Sequence, residues 1–226
     1  MLPPLYQTHL ENQLKQSELL LFNLMINILQ DLKQISLEKI ATAIPLPILF
    51  ESRRKKIQRF LSLPSLNLKT LWFPILQKWL AQNFTENQPL YLVIDRTIWE
   101  RKNLLMISLI YEQRAIPVYF EFLDKLGSSN FGEQLKFIAR ILPLFKEYQV
   151  IVLGDREFCS VKLANWLREQ KLLFCLRLKK NEFIQQEEGR WQKLNDLGLK
   201  PGISLFIEGI QITKTSNFRG FNLAGK

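Results

Sequence analysis

The sequence predicts an α/β protein: a helical N-terminal domain, a mixed-sheet core in the order β-β-β-α-β-α-β, and then short antiparallel strands. Three observations carry this. Residues 17 to 61 repeat apolar side chains at helical spacing, residues 90 to 123 hold three apolar runs of strand composition, and residues 131 to 178 alternate helical with strand-like segments. The domains divide as 1–85, 86–180 and 181–226.

With 226 residues, 47% hydrophobic and 23% charged, the chain has a globular composition and enough length for one substantial core plus an appended domain. Lys and Arg total 31 against 21 Asp and Glu, a formal charge of +10. That excess favours a partner of dense negative charge, nucleic acid before an anionic membrane surface. No run of ~18 uncharged apolar residues occurs, and the N-terminus lacks the order of a secretory signal, so neither anchor nor export is expected.

Cys159, Cys175 and the single histidine, His9, are too few for a zinc site, and the thiols are expected to be free in a reducing compartment. The scarcity of histidine also excludes Ser-His-Asp and Cys-His catalysis, which need an imidazole beside the nucleophile. Chemistry in this chain would have to come from carboxylates and a metal.

In the N-terminal domain, Leu20, Leu21, Leu24, Ile28 and Leu32 predict a helix over 17–33. A second follows Ser36, a good N-cap, and stops before Pro45 and Pro47. In a third, over 48–61, Leu49, Phe50, Ile57, Phe60 and Leu61 share one side, with Arg53 placed awkwardly among them. Lys55 and Arg59 stand one turn apart on its outer face, flanked by Arg54 and Lys56, a geometry suited to straddling phosphates. Three short helices ending in a basic one read as a helix-turn-helix-like DNA-binding module, against the alternative of a solvated basic face. Leu71, Trp72, Ile75, Leu76 and Trp79 add one more helix between the prolines of 62–89.

Past residue 85 the pattern changes. Leu90 to Ile94 is a continuous apolar run ending at Asp95, as in a strand buried on both faces. Strands follow over 103–111 and 115–123, the last holding Pro117, which belongs on a sheet edge because it cannot donate to a ladder. A helix with Phe131, Leu135, Ile138, Leu142 and Phe145 on one face comes next, ended or bent by Pro143. Then come a strand over Val150 to Leu153, a helix with Cys159, Leu163, Trp166 and Leu167 on one side, and a strand over Leu172 to Leu178. Beyond Lys179, glycines and Pro201 separate short stretches such as Ile203 to Ile207 and Gln211 to Thr213, which read as small antiparallel strands.

An acidic residue directly after a buried strand is costly unless solvent, a partner or a metal receives it. Asp95 and Asp155 both stand there. If their strands lie side by side and parallel, both carboxylates emerge at one sheet end and could share a divalent ion. Mg²⁺ or Mn²⁺ suits hard oxygen ligands and phosphate substrates. The alternative is that either aspartate caps a helix or begins a turn, Asp155 in particular.

The stretch Leu92-Val-Ile-Asp95-Arg-Thr-Ile-Trp99 resembles the first catalytic block of the DDE transposases in the insertion sequence four group. Leu153-Gly-Asp155-Arg-Glu-Phe158, with the Ala164-Asn-Trp-Leu167 helix and Phe174-Cys-Leu-Arg-Leu178-Lys-Lys, resembles the second. Ile44 to Leu61 resembles the group's N-terminal DNA-binding part. The resemblance implies a ribonuclease H-like core, an enzyme dependent on Mg²⁺ (or Mn²⁺), and Asp95 and Asp155 as two of three metal ligands. It also implies cleavage of element ends and their joining to target DNA, with Lys179 and Lys180 near the DNA path. Double-stranded DNA would be the partner, self-association would occur on it, no membrane would be involved, and the protein would be cytoplasmic and nucleoid-associated.

The third ligand of that group is a glutamate on a late helix, preceded by a tyrosine and an arginine and followed by a lysine. No tyrosine occurs after Tyr148, so the late pattern is absent from this sequence. Residues 181–226 resemble the start of the β insertion that precedes that helix. Neither Glu157 nor Glu208 stands where the third ligand should, so strand cleavage is expected to be impaired. Two other readings stay open: a DNA-binding remnant or regulator without catalysis, and a ribonuclease H-like nuclease of another lineage.

Overall fold

The computed structural model describes residues 2–85, 88–186, 189–200, 202–213 and 219–225. Glu86 and Asn87, where the core was expected to begin, lie outside them, as do Pro201 and Lys226 of the expected strand region. Two compact units are present, Met1–Phe84 and Thr85–Lys226.

The first unit is helical: α1 (Pro4–Gln13), α2 (Gln16–Leu32), α3 (Leu37–Ala43), α4 (Phe50–Leu61), a π turn (Leu68–Trp72) and α5 (Phe73–Asn83). The Ser36 hydroxyl accepts from the Lys39 amide and starts α3, as a serine N-cap should. Leu21, Met25 and Ile28 of α2 pack with Ile40 and Ala41 of α3, Ile44, and Ile57 and Phe60 of α4. A second cluster joins Leu10, Leu14 and Ile75. The broad apolar side expected of α4 is corrected: Leu49, Phe50 and Leu61 are 80%, 40% and 57% exposed. Only Ile57 and Phe60 of this helix are buried, packed against residues of α2 and α3.

Arg53 is accommodated by the backbone. Its Nε donates to the Ile48 carbonyl at 2.8 Å and its Nη1 to the Thr42 carbonyl at 3.4 Å. The charge thereby meets one carbonyl in the last turn of α3 and one in the connection to α4.

The second unit carries β1 (Leu90–Trp99), β2 (Lys102–Tyr111), β3 (Arg114–Leu123), α6 (Phe131–Ala139), β4 (Val150–Gly154), α7 (Val161–Glu169) and β5 (Leu173–Leu176). The sheet order is β3-β2-β1-β4-β5. β1, β2 and β3 form an antiparallel meander, while β4 runs parallel to β1 and β5 parallel to β4. This order and these directions make the core an α/β fold of the ribonuclease H-like class. β3 is the edge strand that Pro117 requires, and a bulge at Val118 shifts the register between Ile107 and Ser108.

Two strand expectations are corrected. β1 does not end at Asp95 but continues to Trp99, because Arg96, Thr97 and Ile98 pair with Leu105, Leu104 and Asn103 of β2. Nor is β1 buried on both faces: Leu90, Leu92 and Ile94 are buried, whereas Tyr91 is 41% exposed. α6 covers the face of Ile94, since Tyr119, in register with Ile107, stacks on Phe137 of α6 with ring centroids 5.1 Å apart. The opposite face, with Tyr91, Phe120 and Phe122, remains partly open.

The buried side of α6 is Gln134, Phe137 and Ile138, continued by Ile141 and Phe145, a rotation from the expected stripe. α6 ends at Ala139, and Pro143 sits in a 3-10 turn over Leu142–Phe145. A second sheet contains β6 (Phe183–Gln185), β7 (Gln192–Lys193), β8 (Leu205–Ile212) and β9 (Phe221–Gly225) in the order β7-β6-β8-β9. Ile184, Ile210, Ile212, Phe221 and Leu223 form its core with Ala164 of α7. No described helix is long and apolar enough to cross a membrane.

Candidate active site

The last rung of the parallel ladder between β1 and β4 pairs Ile94 with Gly154. Asp95 and Asp155 are the next residues on the two chains, and adjacent strands lie about 4.8 Å apart. Both aspartates are therefore at one end of the sheet, on neighbouring strands, and both side chains are exposed. Each uses its Oδ1 locally: that of Asp95 accepts from the Arg96 amide at 2.8 Å, and that of Asp155 from the Glu157 amide at 2.9 Å.

The second of these bonds closes a turn, so Asp155 does not cap α7, whose N-cap is Ser160. Turn formation and cation binding are compatible here because a carboxylate offers two oxygens. A cavity of about 1130 Å³ opens beside the pair and is lined by Asp95, Asp155, Lys180, Phe174, Leu176 and Phe221 among others. Lys180 thus joins the two aspartates around one opening. Lys179, also exposed, lies beside Cys159, whose thiol is pushed up by burial against the opposing effect of the lysine charge.

Among the described residues, no third His, Cys, Asp or Glu completes a cluster of three that could hold a metal ion. Glu157 is engaged elsewhere. Its Oε2 accepts from Arg96 Nε at 2.6 Å, and its Oε1 accepts from both the Ser129 amide and the Ser129 hydroxyl at 2.8 Å. Burial alone would push the Glu157 carboxyl up, but the Ser129 amide and the Arg96 guanidinium outweigh it and hold it below the usual carboxylate range.

Sequence reasoning missed Arg96, Asn103 and Ser129 as partners of this region. The sequence held no local signal for them, because Arg96 follows the apolar run that ends at Asp95. Arg177, exposed and also lining the cavity, was quoted only as part of a motif.

In the first unit, Lys55, Lys56 and Arg59 of α4 are exposed. Arg54 is only half-free: its Nε lies 3.3 Å from Glu38 Oε1 of α3. A surface pair of this kind adds little to stability.

No known protein family and no curated protein matches the chain. Among solved structures, the catalytic domain of the Mos1 mariner transposase is similar to it at 12% identity, over 45% of this chain and 55% of that one, with a TM-score of 0.30. A structure of the same Mos1 domain with raltegravir and manganese gives the same values. The Argonaute of Marinitoga piezophila, in complex with a 5′-OH guide RNA, is similar at 15% identity over 67% of this chain and 30% of that one, also with a TM-score of 0.30. The match thus spans about half the length of the Mos1 domain.

Proposed function

We propose that this chain is a DDE-type transposase protein of the insertion sequence four kind, whose core acts on DNA phosphodiesters with a divalent cation held by Asp95 and Asp155. The observation that carries the reading is the position of the two aspartates, each one residue past the Ile94 and Gly154 rung of adjacent parallel strands. Two exposed carboxylates with an oxygen each to spare form the donor set a hard cation takes, and Mg²⁺ or Mn²⁺ fits it. A cation held by Asp95 and Asp155 would supply Lewis-acid stabilisation of phosphodiester oxygens in an in-line displacement.

The chain's own residues supply the remainder. Asp95 and Asp155 orient the site. Lys180, and Lys179 beside it, hold backbone phosphates near the cavity rim. Arg54, Lys55, Lys56 and Arg59 grip duplex DNA from the helical domain, residues 1–85. With two carboxylates in place of three, strand cleavage by the chain alone is weak or absent, while DNA binding persists.

A second reading, a non-catalytic DNA-binding remnant or regulator, is favoured by one observation: both oxygens of Glu157, two residues past Asp155, are taken by other partners. A Mn²⁺ titration followed by electron paramagnetic resonance, with plasmid nicking assayed in parallel, separates the two. The transposase reading expects the wild type to bind Mn²⁺ and Asp95→Ala and Asp155→Ala each to lose that binding. Equal Mn²⁺ binding by all three proteins would overturn it. Strong nicking by the wild type would point to a nuclease with a third ligand of its own.

A further inference from the structure

The backbone ladder that holds β1 beside β4 stops at Ile94 and Gly154, one residue short of both aspartates. Beyond it β4 ends and the chain turns through Asp155, Arg156 and Glu157, while β1 continues as a partner of β2 alone. Main-chain pairing therefore brings the two chains side by side but does not link the two aspartates themselves. Past the last rung a side-chain pair joins the two chains. Arg96 follows Asp95 directly, Glu157 lies two residues past Asp155, and these two make a 2.6 Å ion pair with side chains only 18% and 12% exposed.

Side chains alternate along a strand, so Arg96 points to the face of Ile94 and Asp95 to the other. The ion pair is thus made on the α6 side of the sheet, while the Asp95 carboxylate points to the open side. The pair cannot compete with a cation for Asp95.

Its surroundings continue the pairing on both sides. Arg96 Nη1 donates to Asn103 Oδ1 at 2.9 Å, and the fully buried Asn103 donates through Nδ2 to the Lys125 and Gly127 carbonyls, each at 2.7 Å. Ser129 donates twice to Glu157, and its hydroxyl accepts from buried Gln134 Nε2 at 3.0 Å. An ion pair partly withdrawn from water, as this one is, adds little net stability, since desolvation offsets much of the attraction. What the bonds to Arg96 and Glu157 can provide is one defined geometry, because any other arrangement leaves these two charges unpaired.

We infer that Arg96 and Glu157 are positioning residues, a clamp that fixes the separation of Asp95 and Asp155 and so sets the cation affinity of the pair. This rests on the reading of the two aspartates as metal ligands. Groups that orient metal ligands from behind typically govern affinity by about 10–100-fold.

The experiment uses the full chain with Glu157→Gln, Arg96→Lys and the double variant, and reads Mn²⁺ affinity and thermal melting separately. Glu157→Gln keeps an acceptor for Ser129 and loses the charge; Arg96→Lys keeps the charge and loses the bond to Asn103. Each is expected to weaken Mn²⁺ binding of the folded protein by roughly tenfold or more, and the double variant no further than the weaker single, as for two halves of one device. Affinity within twofold of wild type in a folded single variant, or additive losses in the double, would overturn the clamp.

A second measurement needs no metal. With Cys159 and Cys175 replaced by Ser, nitroxide labels on Asp95→Cys and Asp155→Cys should give a narrow spin–spin distance distribution that Glu157→Gln broadens. An unchanged distribution would refute the clamp. A broadened one, together with a wild-type chain that binds no Mn²⁺, would sustain the clamp as a device of geometry and refute the metal-site reading on which its catalytic meaning depends.

Discussion

Gly154 lies against Phe158: a Cβ built on the glycine would stand 2.9 Å from the Phe158 Cβ and 2.9 Å from Leu176 Cδ2. The leucine methyl can rotate away, but the Phe158 Cβ is fixed to a backbone whose ring is fully buried. The turn that carries Asp155 therefore closes only over a residue without a side chain.

Gly154→Ala is expected to destabilise the fold by about 1–3 kcal/mol, the usual cost of overpacking. It should also weaken Mn²⁺ binding, because relief of the clash moves the turn of Asp155. Urea unfolding and a Mn²⁺ titration check both; an alanine variant as stable as wild type would contradict so close an approach of Gly154 to Phe158.

Glu133 closes the N-terminus of α6 by accepting from the Asn130 amide at 2.7 Å and by pairing with Lys125 at 2.7 Å. Burial would push its carboxyl up, yet the Lys125 ammonium and the Asn130 amide hold it below the ordinary value. A carboxyl depressed in the fold contributes stability that is complete above its unfolded value, about 4.3, and is lost as pH falls through the folded one. Melting temperature is thus expected to drop between wild type and Glu133→Gln at neutral pH, and the gap between them to close in acid. A gap constant with pH would exclude this account.

Arg53 and Lys55 stand two residues apart on α4 and should behave oppositely. Arg53→Ala leaves the Ile48 and Thr42 carbonyls without a charged donor and is expected to cost about 1–2 kcal/mol in denaturant unfolding. Lys55→Ala, at an exposed position, should stay within about 0.5 kcal/mol of wild type.

If α4 meets DNA through Lys55, Lys56 and Arg59, affinity should fall steeply with salt. Every phosphate that α4 no longer neutralises should reduce the slope of log K against log salt by about 0.9. Fluorescence anisotropy across a salt series measures this for the triple alanine variant. A slope unchanged from wild type would remove α4 from the DNA interface.

Much of the core was legible because its signals are local. Apolar runs marked β1 to β5, Ser36 marked a helix start, and Pro117 marked the edge. The extension of β1 past Asp95 was not legible, since Arg96 and Thr97 look like the start of a turn until Asn103 and Glu157 are brought beside them from elsewhere in the chain. Helix α1 was overlooked because its apolar side chains form no concentrated stripe; it is held by Leu10 alone among fully withdrawn residues.

The faces of α4 and α6 were misjudged for a related reason. Periodicity shows that a helix has an apolar side, but the neighbour decides which part of it is covered, and Gln134 is buried on α6 because Ser129 receives it. At the candidate site, the order and spacing of Asp95 and Asp155 could be read from the chain. The occupied state of Glu157 could not, since it depends on three donors from two distant segments.

Pro117 and the bulge beside it also bear on behaviour in concentrated solution. A boundary strand with regular donors and acceptors invites a foreign β segment to extend the sheet, the first event in aggregation. On β3 the missing amide and the local kink break that template, so accretion of further chains at this border is disfavoured while the interior strands keep their full pairing.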